Sequence, residues 1–356
     1  MVSLDNSKTY KKLDRHQVAD SINLFAEQLR EAYLESQKIN LPMSYKKIKN
    51  ILINGMGGSA YCGYVLKALY DHELKVPVET TNSYNLPGWV NQDTLVVTSS
   101  YSGTTEETVN SFYQAQKRKA KIIAICQGEL LARLALKNKV PSYIFSAKNN
   151  PSNQPRIGLG YTIVGLLGLF AKINLINFKK NDFNSTLNLV KRVNNQWSNK
   201  IATIKNPVKS LALKLNNRRL LIIGAEHLAA NAHILANQLN ETSKTLAAFH
   251  LIPELNHHLM EGIRFPISNK KDLAFLFLDS EIYDMKIKKR FQVTKKVVAK
   301  NEIKYFNFSA LGKNTLEQTF STMVFSGWLS YYLGILNNVD PVKIPWVDYF
   351  KNELAK

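Results

Sequence analysis

The stretch Leu95-Val96-Val97-Thr98-Ser99-Ser100-Tyr101-Ser102-Gly103-Thr104-Thr105-Glu106-Glu107-Thr108 constrains the fold more than any other part of the chain. Its β-branched apolar run suits a buried parallel strand. Gly103 permits a tight turn, and Thr105-Glu106-Glu107 suits the first turn of a helix. Ser100, Ser102, Thr104 and Thr105 then stand at a strand's C-terminal end, facing a helix N-terminus. Free backbone N–H groups and the positive end of the helix dipole collect there, so a dianionic phosphate needs only added hydroxyl donors. A Ser/Thr-rich turn with an N-cap is the plain alternative. Four hydroxyls within six residues favour an anion cradle.

The same alternation of strand and helix extends along the chain. Ile48–Asn54 reads as a strand that runs into Gly55-Met56-Gly57-Gly58-Ser59-Ala60 and then a helix to about Tyr70, the opening of a doubly wound unit. Further strands are predicted at Val76–Thr80, Thr94–Thr98, Ile122–Cys126 and Tyr143–Ser146, with helices at Glu106–Arg118 and Leu130–Lys137. A second series starts at Arg218–Glu226 and continues with strands at Ala248–Ile252, Leu273–Leu278 and Tyr305–Phe308. Helices are predicted between them over Ala229–Leu239, Met285–Lys300 and Leu316–Leu336. Strands alternating with helices imply parallel sheets. At 356 residues the chain has room for two domains of about 150 residues each. The expected class is therefore α/β, with two doubly wound, Rossmann- or flavodoxin-like parallel-sheet domains whose halves repeat in architecture but not detectably in sequence.

Asn149-Asn150-Pro151-Ser152-Asn153-Gln154-Pro155 is the clearest break, because its prolines and asparagines resist both helix and strand. The expected division is residues 1–155 as the N-terminal domain with a leading helix over Val18–Ile39, placed as a lid or dimer element. Residues 156–356 follow as a linker helix and the C-terminal domain. Ile157–Ala171 is apolar, yet short of the roughly 18 to 20 residues that span a membrane, and it reads as a buried helix. Cys62 and Cys126 cannot make a disulfide framework, and Met1-Val2-Ser3-Leu4-Asp5 lacks the apolar core of a signal peptide, so a cytoplasmic location is expected. The net charge of +20 would fit nucleic-acid binding, an acidic substrate or a lysine-rich proteome. The densest basic run, Lys286 to Lys304, interleaves with Ile287, Phe291, Val293, Val297 and Val298 as a solvated amphipathic helix does. Neither a nucleic-acid nor a membrane partner is expected.

Three further segments carry chemistry. Gly55-Met56-Gly57-Gly58-Ser59-Ala60 fits G-x-G-x-x-A, with Glu79 placed 24 residues after Gly55, as a dinucleotide fold would require. Gln154-Pro155-Arg156 offers an arginine fixed after a proline, either a boundary residue in a surface ion pair or two planar donors for an oxyanion. Asn237-Gln238-Leu239-Asn240-Glu241-Thr242-Ser243-Lys244, followed by Pro253-Glu254-Leu255-Asn256-His257-His258, supplies a carboxylate and an imidazole. Moving a proton between adjacent sugar carbons needs the first, and opening a closed ring needs the second. Surface helix and capped-turn roles are the commoner fates of such residues. No metal-ligand spacing appears, since His227, His233 and His250 are scattered and the cysteines lack CxxC spacing.

Ser100-Tyr101-Ser102-Gly103-Thr104-Thr105-Glu106-Glu107-Thr108 resembles the Ser-Tyr-Ser-Gly-Asn-Thr-Glu-Glu-Thr signature of sugar isomerase (SIS) domains, specifically the bifunctional phosphoglucose/phosphomannose isomerases. Gly55-Met56-Gly57-Gly58-Ser59-Ala60, Gln154-Pro155-Arg156 with Leu159-Gly160-Tyr161, Asn240-Glu241 with Glu254-Leu255-Asn256-His257, and Val339-Asp340-Pro341 resemble that family's remaining motifs, in order. Thr104, His258, Leu259 and Val342 depart from its usual residues. The resemblance implies two SIS domains, a sugar-phosphate substrate held by Gly57, Gly58, Ser59, Ser100, Ser102 and Thr105, and catalysis by Glu241, His257 and Arg156. Lys351 is the best match to the family's C-terminal active-site lysine. No cofactor and no metal are implied, and a homodimer with a shared active site is. A sugar-phosphate sensor without turnover and a Rossmann oxidoreductase are the rival readings. Retained Glu241 and His257 argue against the first, and the hydroxyl cradle argues against the second.

Overall fold

The computed structural model describes residues 3–354 and 356. Among these residues, nine strands form two wholly parallel sheets. The first contains β1 (Asn50–Asn54), β2 (Val78–Thr81), β3 (Thr94–Ser100), β4 (Lys121–Cys126) and β5 (Ser142–Ile144), in the order β2-β1-β3-β4-β5. The second contains β6 (Arg219–Gly224), β7 (Ala247–Leu251), β8 (Leu273–Asp279) and β9 (Lys304–Ser309), in the order β7-β6-β8-β9. Each sheet starts at an inner strand, adds one neighbour on one side and then reverses to the other. That reversal falls between β1 and β3 in one sheet and between β6 and β8 in the other, and it is at the C-terminal ends of such strands that doubly wound sheets bind their ligands. The nine strands are those predicted from the sequence, with ends displaced by a few residues. β3 gains two residues and continues to Ser100, which carries the start of the hydroxyl segment to the edge of the sheet.

The chain divides into two compact units. One contains the first sheet and comprises residues 24–191 with 314–317; the other contains the second sheet and comprises 192–313, together with the chain up to Asn23 and from Gln318 onward. A cut after residue 155 does not follow these units. The helix Leu159–Lys172 is buried from Leu159 to Phe170 and packs against the helices Phe25–Ser36 and Tyr61–Tyr70 in the first-sheet unit. Its burial bears out the reading of an apolar but non-spanning segment. Among the described residues no helix is long and apolar enough to cross a membrane.

The single leading helix predicted over Val18–Ile39 is two helices, Val18–Asn23 and Phe25–Ser36, preceded by Ser7–Leu13. Both ends of the first piece are fixed by side chains. The Asp14 carboxylate accepts from Val18 N at 2.7 Å and Ala19 N at 2.9 Å. At the other end Asn194 Nδ2 donates to the carbonyls of Ile22 at 2.8 Å and Asn23 at 3.2 Å, which terminates the ladder where a continuous helix would have used them. Phe25–Ser36 is not a lid: Leu29 and Ala32 are wholly buried in its contact with Leu159–Lys172.

The basic run forms the helix Met285–Lys300, which buries Phe291, Thr294 and Val298 and leaves most of its lysines in solvent. Lys295 turns inward to Asp279, 2.7 Å from Oδ1 and 5.2 Å from the Phe277 ring. Cys62 and Cys126 are buried free thiols, pushed up by burial to about 11 and about 12. Because Leu29 has no exposed surface, Leu29→Ala should cost about 2 to 5 kcal/mol. The loss should appear as a lower urea midpoint with an unchanged m-value.

Candidate active site

At the end of β3 the chain turns through Gly103, whose φ is +80°. A Cβ there would lie 1.9 Å from the Gly128 carbonyl oxygen, so no other residue fits. The close approach lets the loop be latched to the one after β4: Gln127 N donates to Tyr101 O and Leu131 N to Gly103 O, both at 2.9 Å. The hydroxyls are already organised around this turn. Ser100 Oγ accepts from Gly103 N at 3.0 Å and pairs with Thr105 Oγ1 at 2.8 Å. Ser102 Oγ pairs with Thr104 Oγ1 at 3.0 Å and accepts from Thr104 N at 3.2 Å. Ser100 is buried, whereas Ser102 and Thr104 are exposed. Thr105 occupies the N-cap of the helix Glu106–Lys117, with its hydroxyl turned toward Ser100 and not onto the helix's own first turn.

The end of β1 meets this loop directly. Gly57 adopts φ +50° and opens the short 3₁₀ turn Gly57–Ala60, which runs into the helix Tyr61–Tyr70. Ser59 Oγ accepts from Tyr101 N at 2.8 Å, joining the two loops. A Cβ on Gly58 would lie 3.1 Å from Pro155 O and 3.4 Å from Arg156 N, so the glycine backbone rests on the Pro155–Arg156 peptide. Arg156 itself is buried, and its Nη1 donates to Gln154 Oε1 at 2.8 Å. Gly57, Gly58, Ser59, Ser100, Ser102, Thr105 and Arg156 thus gather on three loops at one edge of the first sheet. Glu79, which a dinucleotide site would need at the end of its strand, is exposed within β2, two residues before its end.

The remaining predicted residues lie in the second-sheet unit. Glu241 sits in a π-helical turn, Leu239–Ser243, that widens the end of the helix Ala229–Gln238 just before β7. Asn240 anchors that turn to the strand: its Nδ2 donates to Ala247 O at 2.7 Å, and its Oδ1 accepts from Ala247 N at 3.2 Å. Ser243 and Lys244 close the turn and line a cleft of about 630 Å³ with Arg218 and Arg219. His257 is exposed at the end of the 3₁₀ turn Glu254–His257, which follows β7. Its neighbour His258 pairs with Glu254 at 3.0 Å. Glu241 and His257 therefore flank β7 at opposite edges of the sheet, separated by a strand about 13 Å long plus a turn at each end. Lys351 is exposed on the helix Pro345–Leu354, every residue of which is exposed. Among the described residues no group of three or more His, Cys, Asp or Glu could hold a metal ion.

Sequence reasoning passed over three residues that shape this edge. Glu31 is buried and accepts from Asn149 Nδ2 at 2.6 Å and Tyr161 OH at 2.9 Å, tethering both flanks of the arginine loop. Tyr101 and Asn150 meet at 2.7 Å between the cradle and that loop. The one signal for them in the sequence was an aromatic residue inside the hydroxyl run and an asparagine inside the chain break.

Comparison with known proteins assigns both parts of the chain to one kind of domain. Residues 44–149 match the model of the SIS domain, and residues 204–354 match that of the bacterial phospho-glucose isomerase C-terminal SIS domain. A bifunctional phosphoglucose/phosphomannose isomerase of Caldicellulosiruptor bescii is 31% identical over 346 residues, covering 95% of this chain and 98% of the relative. A protein of the same name from Thermoplasma volcanium is 28% identical, covering 89% and 96%. Among solved structures, a hypothetical protein from Thermus thermophilus superposes with a TM-score of 0.75 at 14% identity, over 98% of this chain and 92% of its own. The C-terminal domain of glucosamine-fructose-6-phosphate aminotransferase from Francisella tularensis superposes at 0.69 and 15% identity, over 93% and 99%. These two share the fold.

If the hydroxyl loop binds an anion, Gly103→Ala, which forces that loop away from Gly128, should abolish the binding. Inorganic phosphate at 100 times its Kd should stabilise the unsubstituted protein by about 2.7 kcal/mol, read as a rise in Tm. The variant should show no such rise.

Proposed function

Since the chain belongs to the bifunctional phosphoglucose/phosphomannose isomerase family, we propose that it interconverts glucose 6-phosphate and mannose 6-phosphate with fructose 6-phosphate. The observation that carries this reading is the convergence of the hydroxyl cradle, the glycine turn and Arg156 at one sheet edge. It sets hydroxyl donors and a helix N-terminus on loops that adjoin the one carrying a buried guanidinium, and no chemistry is asked of them beyond binding charge.

In the proposed mechanism the phosphate is held by Ser100, Ser102 and Thr105 with the free N–H groups of the Glu106–Lys117 helix, while Gly57, Gly58 and Ser59 close on the sugar. His257 protonates the ring oxygen and opens the hexose. Glu241 takes the proton from C2, leaving a planar enediolate whose negative charge Arg156 stabilises, and returns it to C1 while the proton of the C2 hydroxyl passes to O1, which gives the ketose. Glucose and mannose 6-phosphates differ only at C2 and share this intermediate; a half turn about C2–C3 presents either face. Lys351 is the further cationic residue of the site. The reaction moves a proton and an electron pair within one substrate, so protein side chains suffice for it.

The placement of Glu241 and His257 at opposite edges of the second sheet bears on assembly. A histidine that far along the strand serves a carboxylate best when the two come from different copies, so we propose a homodimer in which His257 completes the site of its partner. A cytoplasmic location accords with metabolic substrates of this kind.

Two experiments test the proposal. Glu241→Gln keeps size and hydrogen bonding but removes the base, and should lower kcat for both aldose phosphates by about 10²- to 10⁴-fold while KM moves little. Wild-type turnover of either sugar would refute the assignment. Mixing inactive Glu241→Gln and His257→Ala proteins should restore partial activity, because a mixed dimer rebuilds one intact site. Failure of complementation, despite proven subunit exchange, would remove the shared site while leaving the isomerase assignment standing.

A further inference from the structure

We propose that Tyr101 and Asn150 are positioning residues of the isomerase: their hydrogen bond ties the phosphate cradle to the loop that carries Arg156, so that the two act as one rigid body. Tyr101 lies between Ser100 and Ser102, so its backbone is part of the cradle. That backbone is held on both sides, by Ser59 Oγ at its N–H and by Gln127 N at its carbonyl. Its side chain points away from solvent, 3% exposed, with the ring edge-on to Phe145 at 5.2 Å between centroids.

The tyrosine hydroxyl accepts from Asn150 Nδ2 at 2.7 Å. Asn150 is 2% exposed, and each polar atom of its side chain is engaged: Nδ2 also donates to Gln154 O at 3.0 Å, and Oδ1 accepts from Ser152 Oγ at 2.8 Å. Gln154 in turn receives Arg156 Nη1 on its side chain, while its carbonyl accepts from Ile157 N and Gly158 N, both at 3.0 Å. A continuous path therefore runs from the cradle through Tyr101, Asn150 and Gln154 to the guanidinium. Packing closes around the same path: a Cβ on Gly158 would lie 2.5 Å from the Tyr101 ring and 2.7 Å from Asn150 Nδ2, so the loop is pressed against the brace.

The segment 149–158 has no strand or helix of its own to hold it, and loops of that kind are the mobile parts of a fold. An arginine that stabilises developing charge is useful only when it is already in place as the charge forms. The phosphate fixes one end of the sugar, and the brace fixes Arg156 relative to that end, which sets where on the substrate the guanidinium falls. Burial keeps water from substituting for the lost partner when either residue is changed. Burial also pushes the Tyr101 phenol up to about 12, so it remains a neutral hydroxyl at ordinary pH.

The inference rests on the reading in which Arg156 stabilises the enediolate, and the test separates the two. Tyr101→Phe keeps the ring and removes the hydroxyl; Asn150→Ala breaks the same bond from the other side. Each should lower kcat at least about 10-fold, with KM changing less than about threefold, as small misplacements of a charge-stabilising group do. In an Arg156→Ala background, Tyr101→Phe should cost less than about twofold, because residues acting through one another are not additive. Wild-type kcat in Arg156→Ala would overturn the role of the arginine itself. A crippled Arg156→Ala alongside full activity in Tyr101→Phe and Asn150→Ala would overturn the brace alone, as would an equal loss from Tyr101→Phe with and without Arg156. Failure of both single variants to fold, seen as loss of the cooperative thermal transition, would assign the pair to stability and likewise overturn the positioning role.

Discussion

The close approach of backbone to backbone at the C-terminal ends of β1 and β3 is the constraint on which the cradle depends. Gly103 against Gly128 and Gly58 against Pro155 bring peptide groups together where a single Cβ would hold them apart. Once the loops are that close, Ser59 Oγ can reach Tyr101 N, and the sequence-distant arginine loop comes to lie on the glycine turn. The serine and threonine hydroxyls bond to one another and to loop N–H groups, with no cation required to hold them. In the proposed site an incoming phosphate would exchange hydroxyl–hydroxyl bonds for charge-assisted ones.

The second sheet has the same strand order, yet its equivalent crevice is filled. Tyr283 OH accepts from Ala225 N at 3.3 Å and donates to Leu278 O at 3.0 Å, bridging the loop after β6 to the end of β8. His227, buried and with its imidazole pushed down by desolvation, meets Gln318 Oε1, which also receives Ser280 Oγ. Side chains occupy the position that hydroxyls and bare backbone keep open in the first sheet. Polar residues of the second unit proposed to act on substrate stand instead on the two turns that flank β7. In the proposed mechanism two sheets of one design divide the labour, the first binding the phosphate and the second presenting an acid and a base.

This division explains what the sequence displayed and what it hid. Nine strands and the cradle were legible because buried parallel strands are continuous apolar runs and because phosphate cradles concentrate glycine with hydroxyls in a short span. The internal repeat was legible as architecture but not residue by residue. Gly57 and Glu226 follow their strands by three and two residues, are left-handed at φ +50° and +44°, and each opens a 3₁₀ turn into a helix. Only glycine advertises such a turn in a sequence; a glutamate there is read as helix. In the second unit the strain is met by tertiary contact, the Glu226 carboxylate accepting from Asp284 N. The break in the leading helix was hidden for the same reason, since Asn194, which ends it, is some 170 residues away. The brace of Tyr101 and Asn150 is likewise a long-range pairing with no local pattern, although each residue alone stood in a motif.

The turn that carries Glu241 shows how such a position is held without a binding motif. A helix ending at Gln238 would ordinarily close on a glycine, but here one π turn follows and Lys244 takes the left-handed position at φ +56°. Three side chains stabilise that geometry in place of glycine. Ser243 Oγ donates back to Leu239 O at 2.6 Å, Asn240 binds both main-chain groups of Ala247, and Asn337 Nδ2 caps Ser243 O at 2.8 Å. Asn240, the residue before Glu241, is bound to the first residue of β7, so the position of the proposed base is set by the sheet and not by the end of a helix. The residues on the far side of the same strand have their own anchor, Ile252 N to Gly224 O at 3.0 Å. Glu241 and His257 are therefore held at the two ends of one rigid rod. The strand between them sets their separation within one subunit, and that separation is the reason the proposed carboxylate–imidazole pairing draws on two copies.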